Sequence, residues 1–187
     1  MQEEIKRACE VLRKGGVILY PTDTVWGIGC DATNEDAVKR VYDIKKRDDS
    51  KSMLVLMENP VKLQTYVVEV PDIAWDLIDL ADKPLTIIYD GARNLAANLI
   101  AEDGSVGIRI TSEFFSAELC KQFRKPIVST SANISGEAAP SNFREISEEI
   151  KKSVDYIVGY RQKDKGKAQP SSIIKLSKNG TISIIRK

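Results

Sequence analysis

The sequence predicts an α/β fold in a single domain, with a mixed parallel and antiparallel sheet flanked by helices. Three observations carry this. Helical and strand-like hydrophobic patterns alternate along most of the chain, as in α/β proteins. The C-terminal stretch reads as a hairpin, Ser171–Leu176 and Thr181–Arg186, around the turn pair Asn179-Gly180. That hairpin and several short connections make the sheet mixed rather than purely parallel. Finally, 187 residues, 42% hydrophobic and 29% charged, suit one core of ordinary size. No internal repeat or linker divides the chain.

Gln2–Lys14 is an amphipathic helix: Ile5, Ala8, Cys9 and Leu12 recur at helical spacing, Glu3 and Glu4 suit its start, and Gly15-Gly16 stops it. Val17–Tyr20 is a short apolar strand that Pro21 breaks, leading into Thr22-Asp23-Thr24 and then Gly27-Ile28-Gly29. Thr33–Arg47 is a second helix, with Thr33 and Asp36 resembling a capping box and Ala37, Val41 and Ile44 forming its apolar face. It ends in the cations Lys45, Lys46 and Arg47, just before an apolar strand, Met53–Met57. Pro60–Val67 and Pro71–Ala81 are short helices opened by proline.

Leu85–Tyr89 is a strand, Leu95–Ile100 a short helix and Val106–Ile110 a strand. Arg109 sits there between two isoleucines. An arginine is costly to bury unpaired, so it faces solvent or is aimed at an anion. Glu113–Phe123 is a helix. The strand Pro126-Ile127-Val128 then opens into Ser129, Thr130, Ser131 and Asn133 and closes on Ser135-Gly136. Such residues form turns, yet hydroxyls and amides at a strand end also suit a ligand. Arg144–Lys152 is a helix, Tyr156–Val158 a strand, and Lys163–Gln169 a mobile polar, basic segment.

The chain has no histidine, which excludes Ser-His-Asp and Cys-His nucleophiles and histidine-ligated metals. Cys9, Cys30 and Cys120 are isolated, so neither a zinc cluster nor a C-x-x-C redox pair is expected. Their isolation and the lack of a signal-like N-terminus imply a cytoplasmic protein. No apolar run approaches a membrane span. A net charge of +1 gives no overall push toward nucleic acid. What remains is a groove with hydroxyls on one side (Thr22–Thr24, Ser129–Asn133, Ser171-Ser172) and cations on the other (Lys45–Lys51, Arg109). That chemistry suits a phosphorylated ligand beside a small polar one. Neither a Walker A motif nor G-x-G-x-x-G is present.

Five ordered motifs carry a resemblance: P-T-D-T-V-W-G-I-G at Pro21–Gly29, K-x-R at Lys45–Arg47, V-G-I-R-I at Val106–Ile110, S-T-S-A-N-I-S-G at Ser129–Gly136 and P-S-S-I at Pro170–Ile173. Together they resemble the YrdC/TsaC family of threonylcarbamoyl-AMP synthases, over nearly the whole chain. The resemblance implies one YrdC-like domain over residues 1–187, its twisted sheet lying around a concave groove. It implies synthesis of threonylcarbamoyl-AMP and pyrophosphate from L-threonine, bicarbonate or CO2, and ATP carrying Mg2+. The product would serve the threonylcarbamoyl transferase machinery that modifies tRNA. Carried over position by position, Arg47, Lys51, Ser131 and Arg186 would contact ATP, and Asn133, among the ATP-binding residues, would orient the nucleotide or the loop. Lys45 and Arg47 would supply catalytic positive charge. Thr24, Arg109, Ser129 and Ser172 would hold L-threonine, with Ser129 facing threonine and Ser131 the nucleotide.

The chain departs from the family pattern at Asp48 (usually proline), at Leu56 (often histidine) and at Asp82–Thr86, which lacks a glycine. Two other functions compete. One is a non-catalytic RNA-binding module using Lys45–Lys51, Lys121–Lys125 and Lys163–Lys167, or weak tRNA binding beside catalysis. The other is the carbamoyl-adenylate chemistry of hydrogenase-maturation domains, which belong to much longer chains.

Overall fold

The computed structural model describes residues 1–48, 52–166 and 168–187. In chain order the elements are α1 (Gln2–Arg13), β1 (Ile18–Tyr20), β2 (Gly27–Gly29), α2 (Glu35–Lys45), β3 (Leu54–Met57), α3 (Leu63–Tyr66), α4 (Ile73–Asp79), β4 (Leu85–Tyr89), β5 (Val106–Ile110), α5 (Phe114–Phe123), β6 (Ile127–Ser131), α6 (Glu148–Ser153), β7 (Tyr156–Ile157), β8 (Ser172–Leu176) and β9 (Ile182–Arg186). Among the described residues the strands form one sheet of nine, ordered β7-β1-β2-β6-β3-β5-β4-β8-β9. Pairing is parallel at β1–β7, β3–β5 and β4–β8 and antiparallel elsewhere, so the sheet is mixed, as expected.

One strand goes unanticipated by the sequence and three local expectations are revised, each for a physical reason. β2 is a strand despite two glycines, poor strand formers. A Cβ on Gly29 would lie 2.6 Å from the Tyr20 ring and 2.7 Å from the Val128 carbonyl oxygen, so only glycine lets β2 pass Tyr20. The second helix is capped by Asn34, whose side chain accepts the Ala37 N–H, because the Thr33 hydroxyl is engaged by Asp31. The expected helix over 144–152 is split: Asn142 caps a single 3-10 turn and Ser147 caps α6. Leu95–Ile100 contracts to a 3-10 turn at Ala97–Leu99.

α2 and α5 both end on residues in the left-handed region, Lys46 at φ 48° and Arg124 at φ 66°. At α2 this turns Lys46 outward to an ion pair with Glu149.

The sheet separates two apolar layers. On one side α2, α3, α4 and α6 pack on Leu19, Ile28, Val55, Ile87, Ile108, Val128 and Ile174. On the other, α1 and α5 pack on Ile18, Tyr20, Leu56 and Ile127. Side chains alternate across a strand. Hence the second face continues from Ile127 to Ser129 and Ser131, and across the register to Arg109, Thr86 and Ile173. That continuation borders a cavity.

Candidate active site

The cavity has a volume of about 320 Å³ and is bordered by the open ends of β6, β5, β4 and β8, the loop before β2, and the chain after α2. Thr24, Arg47, Arg109, Ser129, Ser131 and Arg186 all line it. These come from five separate segments of the chain, Ser129 and Ser131 sharing β6, and the fold brings them to one surface.

Arg109 is the deepest charge. It is 3% exposed, so it does not face solvent. Its Nε and Nη2 lie 3.1 and 3.0 Å from Asp23 Oδ1, and Nη2 also donates to Thr24 Oγ1 at 3.1 Å. The anion at which it aims is thus partly supplied by the chain itself. Thr22 completes this network: its hydroxyl lies 3.1 Å from the Thr24 hydroxyl and donates to the Val25 carbonyl at 2.8 Å. Burial raises the Asp23 pKa, and the Arg109 guanidinium opposes that rise. Among the described residues Nη1 makes no hydrogen bond, on a side chain that borders the cavity.

Arg186 enters from β9. Its Nε donates to the Ser171 carbonyl at 2.9 Å, and Nη2 reaches the Ser171 hydroxyl at 3.5 Å. Burial first, and then the nearby Arg109, lower its pKa. Arg47 follows the left-handed turn at Lys46 and donates from Nη2 to the Ser52 carbonyl at 3.0 Å. Three guanidiniums therefore meet hydroxyl groups in one concave space. Apolar side chains, among them Val25, Met53, Leu54 and Ile88, complete the lining. Guanidiniums recognise carboxylates and phosphates with paired donors.

Three expected residues stand elsewhere. Lys45 is 1% exposed and is not part of the lining; its ammonium donates to the Ser131 and Asn133 carbonyls at 2.5 and 2.7 Å. Asn133 also stands outside the lining: its amide donates to the Ile134 and Glu137 carbonyls, which ties the loop, the second of the two roles expected for it. Ser172 lies one residue out of phase and borders a neighbouring cavity of about 680 Å³ with Thr22, Asp23, Arg161, Lys165 and Lys187. Strand alternation instead puts Ser171 on the Arg109 face. Ser171 lines the first cavity, with its hydroxyl 2.8 Å from that of Thr86. The sequence places Ser171 in the groove only as a pair with Ser172 and does not single out Thr86; the period of two, extended back from β8, is the signal that separates Ser171 from Ser172. Lys51 lies outside the described residues.

Leu56, where a histidine was expected by resemblance, is fully buried beneath α5 beside Cys120, whose thiol meets the Leu56 carbonyl. In the polar segment before β8, Arg161 donates to the Thr22 carbonyl at 3.1 Å and pairs with Asp164 at 2.7 Å. Among the described residues no group of three or more His, Cys, Asp or Glu side chains could hold a metal ion. Among the same residues no helix is long and apolar enough to cross a membrane.

The chain and its fold have known counterparts. A protein of Pseudoalteromonas translucida named threonylcarbamoyl-AMP synthase is 33% identical over 184 residues, covering 97% of each chain. The Escherichia coli YciO structure superposes with a TM-score of 0.86 at 27% identity, covering 100% of this chain and 90% of that one. The Pyrococcus abyssi Sua5 structure, complexed with L-threonine, gives a TM-score of 0.82 at 25% identity over 92% of this chain. This chain spans about half the length of that protein, 50%. The Sua5_yciO_yrdC family model, whose description reads telomere recombination, matches residues 10–187. The chain belongs to the Sua5/YciO/YrdC family.

Proposed function

We propose that this protein is an L-threonylcarbamoyladenylate synthase that makes threonylcarbamoyl-AMP and pyrophosphate from L-threonine, bicarbonate or CO2, and ATP. One observation carries the reading most directly: Arg47, Arg109 and Arg186 converge with Thr24, Ser129, Ser131 and Ser171 on a single cavity. The named P. translucida relative and the threonine-complexed P. abyssi structure support the substrate class. The product would supply a transferase that places the threonylcarbamoyl group on an adenosine in tRNA.

The chemistry needs no protein nucleophile, which fits a chain without histidine whose three cysteines are all buried. The threonine ammonium gives one proton to water, and the free amine attacks CO2; a C–O π bond opens as the N–C bond forms, and a second proton passes from nitrogen to water to leave a carbamate. The carbamate oxygen attacks the α-phosphorus, the bond to the β-phosphate oxygen breaks, and pyrophosphate leaves. The protein contributes position and charge stabilisation. Arg109 takes the threonine carboxylate, with its orientation held by Asp23 and Thr24. Thr24, Ser129 and Ser171 supply hydroxyls around the amino acid. Arg47 and Arg186 take the phosphates, and Ser131 takes the nucleotide side. Ser129 and Ser131 stand two residues apart on one face of β6, which would bring the carbamate up to the α-phosphate. Mg2+ would arrive on the ATP phosphates as part of the substrate.

The test is pyrophosphate release from ATP, with threonine and bicarbonate omitted in turn. Release that depends on both is expected, and a rate indifferent to threonine overturns the reading. The RNA-binding alternative draws less support from the basic stretches. Lys46 pairs with Glu149, Lys121 with Glu118 and Lys125 with Asp31, while Lys45 is buried.

A further inference from the structure

The lysine of the K-x-R motif has the wrong surroundings for a phosphate ligand. Lys45 is the last residue of α2, and its side chain is 1% exposed. Its ammonium donates to two backbone carbonyls, Ser131 at 2.5 Å and Asn133 at 2.7 Å. Its own carbonyl accepts the Ser135 N–H at 2.8 Å. The same residue therefore grips the turn after β6 at three points, twice from its side chain and once from its backbone. Neither acceptor of the ammonium is a carboxylate, so no ion pair explains the burial. An ammonium placed under two carbonyls is a strong, directional tie. The turn it ties begins at Ser131, whose side chain borders the cavity from the other side. Three further bonds brace the same turn: the Ala132 N–H to the Trp26 carbonyl at 3.0 Å, and the Asn133 amide to the Ile134 and Glu137 carbonyls.

The backbone then does something useful with the next two residues. Lys46 turns in the left-handed region, and Arg47 emerges on the cavity side. One residue therefore sets both the Ser131 wall and the point from which Arg47 departs.

We infer that Lys45 is a positioning residue, a clasp that fixes Ser131 and the exit of Arg47 relative to one another, and that it does not touch the substrate. The inference rests on the synthase reading for its kinetic consequence, but the clasp itself does not. Its burial also lowers the Lys45 pKa to about 8, with Arg47 adding a smaller push in the same direction. That fall comes from burial and from Arg47, whereas the two carbonyls favour the charged form and oppose it.

Two measurements test it. Lys45→Met keeps a flexible unbranched arm, one atom shorter, and removes the donor. Hydrogen exchange of the substrate-free protein is expected to run at least tenfold faster at the Ser135 amide than in wild type, with the middle of α2 unchanged. In steady-state pyrophosphate release the same variant is expected to raise KM for ATP tenfold or more while KM for threonine changes less than threefold, because Ser129 is held by the strand pairing and not by the clasp. Wild-type protection at Ser135, or equal rises in both KM values, overturns the assignment. If Lys45→Met does not fold, Lys45→Gln, a donor on a shorter arm, carries the same comparison with a smaller rise. A wild-type protein whose pyrophosphate release ignores threonine overturns the reaction, and the exchange measurement still decides the clasp.

Discussion

The same face of the same sheet is built in two ways. Beneath α1 and α5 it presents Ile18, Tyr20, Leu56 and Ile127, all fully buried. Two and four residues further along β6, and across β5 and β4, it presents Ser129, Ser131, Arg109 and Thr86. Nothing in the backbone changes between the halves; the strands run straight through. What changes is the cover. Where helices close over the sheet, apolar side chains gain by burial, about 25 cal/mol for each Å² removed from water. Where the cover stops, the sheet holds a buried ion pair and hydroxyls that contribute little to folding and present donors to a ligand. The lesson is that stability and binding are separated along single strands rather than between domains.

The comparison breaks most severely at Arg109. Replacing it by alanine leaves Asp23 buried without its partner, a loss of roughly 3–5 kcal/mol for a pair of this kind. We expect a fall in melting temperature and a rise in KM for threonine of 100-fold or more, exceeding the rise for ATP. Arg47→Ala is expected to reverse that preference with little loss of stability, and equal effects of both variants on both substrates would undo the division of the cavity. Next in size is an exchange between the halves. Ile127→Ser, under α5, is expected to cost about 2–5 kcal/mol by chemical denaturation, with activity per folded molecule preserved. Ser129→Val, two residues on, is expected to leave stability within about 1 kcal/mol and to lose most of the activity.

Lys45 sharpens the comparison through pH. Its folded pKa is about 8, below the ~10.4 of an unfolded lysine. Between those values the unfolded chain holds more protons than the folded one, so this group makes stability rise with pH. The difference in unfolding free energy between wild type and Lys45→Met should therefore grow in favour of wild type by roughly 2–3 kcal/mol from pH 8 to 10.4. Tyr20, Cys30 and Cys120, whose pKa values burial raises, titrate alike in both proteins and cancel. A flat difference would show that Lys45 keeps its ordinary pKa. The smallest effect is a contrast of neighbours. Ser171→Ala is expected to raise KM for threonine about three- to tenfold, whereas Ser172→Ala leaves it within twofold.

Much of this was legible in the chain. Val106–Ile110 and Leu85–Tyr89 have the bounds their apolar runs imply, and the hairpin falls around Asn179-Gly180. Residues from distant motifs, Thr24, Arg47, Arg109, Ser129, Ser131 and Arg186, reach one cavity. Less legible was anything decided by contact across the fold. β2 owes its glycines to the Tyr20 ring, which no local pattern announces. Arg109 has a partner supplied by Asp23, 86 residues away in the chain. Lys45 looks like a helix-end cation until the turn after β6 is laid over it. Ser171 and Ser172 differ only in phase, and phase is fixed by the register with β4.

The left-handed ends of α2 and α5 carry a last consequence. Lys46 at φ 48° and Arg124 at φ 66° hold a conformation that disfavours side chains bearing a Cβ, at a cost of about 1 kcal/mol each. Glycine would relieve it. At Lys46 such relief would loosen the hinge from which Arg47 departs. Arg124 does not border the cavity. The fold thus has latent thermal tolerance at one helix end that can be released freely, and at the other only by trading away control of the phosphate side.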